Sequence, residues 1–181
     1  EIATAIKIGD QHFGLLAWGE ETGFEDYDIK KAASDLTAGL QFLIETAPLS
    51  DVLLIENVGD FFHANDQTGT TPRGGNNLDT DSRHGNVLRA GTQILRQAID
   101  LALKRFKRVD VINARGNHDP DAAIALDLIL QAYFEREPRV NIIRNDCKFI
   151  PWVFGETLLV VNHGEKKPQH QYEFITSRFR E

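Results

Sequence analysis

Four short apolar runs, at residues 5–8, 52–55, 109–112 and 158–161, each give way within a few residues to a polar segment rich in Asp, Asn, His and Gly. Runs of this length and composition read as buried β-strands, and stretches of helical periodicity separate the first three. The strand-helix-strand rhythm points to an α/β fold. In such folds the carboxyl ends of parallel strands converge on one edge of the sheet, where ligands bind. Residues far apart in sequence can therefore share one site.

The helices are expected at three places. Residues 28–46 carry Ile29, Ala32, Ala33, Leu36, Leu40 and Leu43 on one stripe and end before Pro48. Residues 87–106 repeat the pattern with Leu88, Leu95, Ala98, Ile99, Ala102 and Phe106. Lys104, Arg105, Lys107 and Arg108 follow as a solvated, cationic helix end. A third helix should start after His118, with Asp119 as N-cap and Pro120 in the first helical position, and run to about residue 135. Strands at 141–143 and 148–154, with a turn at Gly155, complete a β-rich C-terminal portion. Residues 64–86 show no periodicity, and a loop of that length in a compact domain is usually functional or disordered.

Four motifs end the strands: Asp10-Gln11-His12, Gly59-Asp60, Gly116-Asn117-His118-Asp119 and Asn162-His163-Gly164. Their side chains offer oxygen and imidazole nitrogen and no thiolate. That donor set suits Mn, Fe or Zn better than a structural zinc site does. Two such ions ~3.5–4 Å apart can clamp a phosphoryl group and generate hydroxide near neutral pH. A calcium site at Asp79 and Asp81 is disfavoured, because no acidic residue follows at EF-hand spacing.

The order D-x-H, G-D, G-N-H-D, then a strand-ending His-Gly resembles the calcineurin-like metallophosphoesterase superfamily, over residues 5–164. The resemblance implies two packed β-sheets flanked by helices, a four-layer αββα fold, as one domain over residues 1–181 with 64–86 inserted near the active site. It implies that Asp10 and His12 bind a first metal, that Asp60 bridges, and that Asn117 and His163 bind a second. His118 would protonate the leaving oxygen and Asp119 would orient it. Mn is the first expectation for the two ions, with Fe, Zn or Ni as alternatives. Asp10-Gln11-His12-Phe13-Gly14 and Gly59-Asp60-Phe61-Phe62 look most like the branch containing DNA-repair nucleases, and the whole is similar to phage and prophage members.

Two departures qualify the pattern. No G-H-x-H block follows His163; only His170 remains, in Pro168-Gln169-His170-Gln171. The expectation is a C-terminally truncated sequence. His63 stands where many relatives carry an acidic residue, and a supporting or loop role is expected for it.

The function implied is divalent-metal-dependent phosphoester hydrolysis, of a phosphodiester such as DNA or a nucleotide, with Asn117, Arg73, Arg83 and His84 as substrate-binding candidates. A phosphomonoesterase or phosphoprotein phosphatase is the enzymatic alternative, and a binding module that keeps the fold is the other. At 181 residues and 41% hydrophobic content the chain can bury one core. A net charge of −7 disfavours a broad nucleic-acid footprint but includes carboxylates that metals would neutralise. One cysteine, Cys147, expected to be buried and inert, fits a reducing compartment. No run approaches the ~18 apolar residues of a membrane span, and a cytoplasmic, non-membrane setting is expected.

Overall fold

The computed structural model describes residues 2–144, 146–165 and 167–179. In chain order the elements are β1 (Ala3–Ile8), α1 (Gly19–Thr22), α2 (Ile29–Thr46), β2 (Val52–Asn57), α3 (His84–Ala102), β3 (Arg108–Asn113), α4 (Pro120–Tyr133), β4 (Val140–Ile143), β5 (Ile150–Phe154), β6 (Thr157–Val161) and α5 (Pro168–Arg178). The first four strands form one sheet in the order β1-β2-β3-β4, parallel throughout. Parallel neighbours need crossovers, and α2, α3 and α4 supply them. β5 and β6 pair antiparallel through the turn at Gly155, whose φ is +58°.

Side-chain alternation sends the two faces of the parallel sheet to different partners. Ile6, Ile8, Leu53, Ile55, Val109 and Val111 join the core that also holds Leu36, Leu40 and Ile44 of α2, Leu95 and Ile99 of α3, and Leu126 and Leu130 of α4. Val52, Leu54 and Ile112 point the other way and pack with Ile150, Trp152 and Val161 of the two-stranded sheet. Every residue of β2 is buried, as a central strand covered on both faces must be. A polar contact also ties the sheets together: Trp152 Nε1 donates to Asp110 Oδ2 at 2.7 Å, and Arg108 pairs with the same oxygen at 2.9 Å.

Several details correct the sequence reading. Ile44, and not Leu43, closes the buried stripe of α2, because Leu43 is 39% exposed. α3 begins at His84, inside the stretch that lacks periodicity, since its first turn is polar and carries no apolar signal. It ends at Ala102, so Phe106 is buried from beyond the helix. The cations after it are not simply solvated. Arg105 donates to the carbonyls of Glu45 and Ala47, serving the C-terminal end of α2, and Lys107 pairs with Asp51 at 2.6 Å. Cys147 is exposed, because it lies in a bend before β5 and not on a strand. α5 had no counterpart in the sequence reading. Among the described residues no helix is long and apolar enough to cross a membrane.

Residues 64–83 are held by short pairings. Leu15 bridges to Thr80 and Thr70 to Asn77, while Asp81 N donates to Gly14 O at 2.9 Å. Asp81 Oδ2 in turn accepts Ile29 N at 2.9 Å, so it helps terminate α2 alongside its N-cap, Asp28.

Candidate metal centre

The first three strands end in register, with Ile8 opposite Asn57 and Asn57 opposite Asn113. Their following loops therefore leave the sheet at one edge. Val58 N then donates to Ile8 O at 2.9 Å and Ala114 N to Asn57 O at 2.8 Å. Beyond the turns the first two loops pair again: His12 N to Asp60 O at 2.9 Å, Phe13 N to Phe61 O at 2.7 Å, His63 N to Phe13 O at 3.0 Å. Phe13, Phe61 and Phe62 are fully buried beneath this ladder and anchor it. β6 reaches the same edge from the second sheet, and this is where the structure departs from a single sheet edge serving all four motifs.

The loops bend sharply. Asp10, His12 and Asp60 have φ near +45°, +45° and +50°, three of the four non-glycine residues found in the left-handed region among the described residues. That region costs about 1–2 kcal/mol for an L-residue and, held in place by surrounding structure, marks functional sites. Two glycines make the close approaches possible. A Cβ on Gly116 would overlap the Asp60 backbone nitrogen and carboxylate, and one on Gly59 would lie 2.6 Å from His163 Nδ1.

Asp60, buried, sits at the middle. Its Oδ1 accepts His118 N at 2.7 Å, and its Oδ2 lies 3.2 Å from His163 Nε2 and 4.0 Å from His12 Nε2. Asn117 Oδ1 is 3.0 Å from the same His163 Nε2, and Asp10 Oδ1 is 3.8 Å from His163 Nδ1. Asp10, His12 and Asp60 each bring one ligand atom within 4.8 Å of the others. The structure thus brings all five expected metal ligands together.

His163 faces acceptors on both sides: Nδ1 lies 3.2 Å from Val58 O, and Nε2 lies 3.0 Å from Asn117 Oδ1 and 3.2 Å from Asp60 Oδ2. A neutral ring has one N–H for these two sides, and a metal ion held by Nε2, Asp60 Oδ2 and Asn117 Oδ1 would leave that N–H for Val58 O. A metal fits the donor chemistry of the whole group, nitrogen and oxygen without thiolate.

His118 is oriented by the chain itself. Its Nδ1 lies 2.9 Å from His63 O and so bears the proton, leaving Nε2 free to exchange one. Asp119, expected to orient His118, does something else: its carboxylate accepts Phe62 N at 3.0 Å and Gly116 N at 3.0 Å, locking the G-N-H-D loop onto the segment after Asp60. Burial pushes its carboxyl up to about 6 despite those bonds. Asp119 occupies the N-cap position of α4 but makes no side-chain cap bond. The cap comes from Asn65, whose Oδ1 accepts Asp121 N at 2.7 Å and Ala122 N at 3.2 Å. No local pattern announces that role, because Asn65 is more than fifty residues away in sequence.

His63 is nearer the centre than expected. Its Nδ1 is 3.2 Å from His12 Nδ1, and its ring stacks at 5.4 Å on that of His118. Burial, and then the neighbouring His12 and His118, push its imidazole down to about 4. Burial and His118 lower His12 as well. The one sequence signal was its place three residues after Asp60.

The substrate candidates divide. An open cleft of about 960 Å³ is lined by Phe13, Asp66, Ser82, Arg83, His84 and Arg89, among others. Arg83 and His84 are brought to it, and Arg89 joins them one turn along α3. Arg73 is not; it is exposed, next to Gly74 and Gly75 in the turn beyond Thr71. His170 lies exposed on α5 and belongs to neither ligand group found among the described residues. No family model matches this chain, and neither does any curated protein or solved structure.

Proposed function

We propose that this chain is a divalent-metal-dependent phosphoester hydrolase of the calcineurin-like type, acting on a phosphodiester such as DNA or a nucleotide. The observation that carries this reading is the clustering of nitrogen and oxygen donors on one buried carboxylate: His163 Nε2 lies 3.2 Å from Asp60 Oδ2 and 3.0 Å from Asn117 Oδ1, while Asp10 and His12 close on the same carboxylate. Asp10, His12 and Asp60 would hold one ion, and Asp60, Asn117 and His163 a second, Mn being the first choice. When bound, the ions would supply positive charge to the phosphoryl oxygens and acidify water.

The residues of the chain do the rest. His118, its Nδ1–H held by His63 O and its backbone N–H by Asp60, would deliver a proton from Nε2 to the leaving oxygen. Gly116 lets that loop lie directly on Asp60. Arg83 and Arg89, both on the cleft wall, would attract phosphate.

The test is hydrolysis of a phosphodiester, a phosphomonoester, and single- and double-stranded DNA with Mn, Fe, Zn or Ni. Asp60→Asn should lose both metal and turnover. His118→Ala should keep the metals and lose roughly 10²–10⁴-fold in rate, least with good leaving groups. A wild-type protein inactive on every ester with every metal would sink this reading in favour of a binding module.

A further inference from the structure

On the side of His12 away from Asp60, a second group of ligands meets. The nearest ligand nitrogens of His12, His63 and His118 all lie within 4.8 Å of one another, with no carboxylate among them. His12 Nδ1 and His63 Nδ1 are already 3.2 Å apart, close to the ~3.3 Å between two nitrogens that share a tetrahedral zinc at 2.0–2.1 Å bonds. The rings of His12 and His118 meet edge to face with centroids 4.6 Å apart.

We infer that His12, His63 and His118 form a separate three-imidazole metal position, suited to a nitrogen-seeking ion such as Zn, whose occupancy shuts off hydrolysis. The proton positions favour it. His118 Nδ1 is engaged by His63 O, so Nε2 is the free ligand. His12 turns Nδ1 to His63 and Nε2 to Asp60 Oδ2. A metal on Nδ1 would leave the Nε2 proton facing a carboxylate, the arrangement that orients metal-bound imidazoles. The His12 side chain is 28% exposed and His118 is half-buried, so a fourth position can be reached from solvent.

The two positions differ in ligand type and in consequence. Imidazole alone favours Zn, Cu or Ni, whereas the oxygen-rich group around Asp60 accommodates Mn. The positions also compete, because His12 cannot give a lone pair to both sides without losing its last ring proton. Zinc at the three-imidazole position would take His12 from the Asp60 centre and His118 from proton delivery. That inhibitory consequence rests on the function proposed above, while the binding itself does not.

The experiment is calorimetric titration of the metal-free chain with Zn and, separately, with Mn, and with Co(II) absorption reporting tetrahedral nitrogen coordination. His63→Ala and His63→Gln should each weaken Zn by more than the ~10–100-fold cost of losing an outer partner, and weaken Mn by no more than that cost. Asp60→Asn should abolish Mn binding and weaken Zn by no more than that same ~10–100-fold cost. Zn should inhibit Mn-supported hydrolysis by the wild type and not by His63→Gln. Wild-type Zn affinity retained in both His63 variants, or Zn lost together with Mn in Asp60→Asn, would overturn the inference. Zn binding that behaves as expected in a protein without hydrolytic activity would keep this metal position and reject the proposed function.

Discussion

Four of the five candidate ligands hang from the parallel sheet and the fifth, His163, from the two-stranded one, and the two supports are built differently. On the parallel side, strand register, a ladder of backbone bonds through His12, Phe13 and His63, and three fully buried phenylalanines hold the loops. On the other side, β6 depends on packing across the second core and on the Trp152–Asp110 bond. The difference teaches that one half of the centre is preorganised by the chain's own backbone, while the other is positioned by how two layers dock.

The strongest way to break that comparison is Gly116→Ala. The added Cβ meets backbone and a buried carboxylate, neither of which can move aside. We expect a loss of about 1–3 kcal/mol in stability and loss of Mn binding, read by denaturant titration and calorimetry. A stable variant with unchanged Mn affinity would mean that the parallel side yields as easily as the other.

Trp152→Phe probes the docked side. It replaces the indole with a smaller phenyl and removes the N–H, so Asp110 retains only Arg108, and the expected cost is about 1–3 kcal/mol from the lost bond and the space left behind. Mn affinity should fall through displacement of His163 while the backbone amides of the 9–13 and 58–63 ladder keep their hydrogen-exchange protection. Equal loss of protection on both sides would erase the distinction.

The smallest effect concerns pH. His63 has a native imidazole pushed down to about 4 against an ordinary value of 6.5, so the unfolded chain binds the proton more readily. Stability from keeping His63 neutral is full above 6.5 and lost as pH falls through that value towards 4. Asp119, raised to about 6, works the other way and favours the native state on acidification below that value. In metal-free protein, His63→Gln should therefore flatten the acid loss of melting temperature between pH 6.5 and 4. An unchanged slope would show that His63 is already solvated.

Much of this was readable from residues in a row. The three main helices, the strands and the meeting of Asp10, His12, Asp60 and Asn117 at one sheet edge follow from periodicity and from polar segments at strand ends, whereas His163 arrives from the second sheet. α5 was missed because its first residues, Pro168-Gln169-His170-Gln171, are polar and it buries no residue. The start of α3 was missed for a similar reason. The helix-cap expectation for Asp119 comes from its place before Pro120, and its expected role beside His118 comes from the family resemblance. Its real partners, Phe62 and Gly116, include one that lies 57 positions away.

The α/β class and the donor side chains at the strand ends are written in local spacing: apolar runs, helical stripes, and Asp, His, Asn and Gly after the strands. Only the tertiary structure decided which atoms face one another. Left-handed turns at Asp10, His12 and Asp60 aim the side chains, a carbonyl of His63 selects the tautomer of His118, and Val58 O and Asn117 Oδ1 hold the His163 ring from its two sides. Those choices come from groups brought together across the sheet edge, where hydrogen bonding and not sequence spacing sets the geometry.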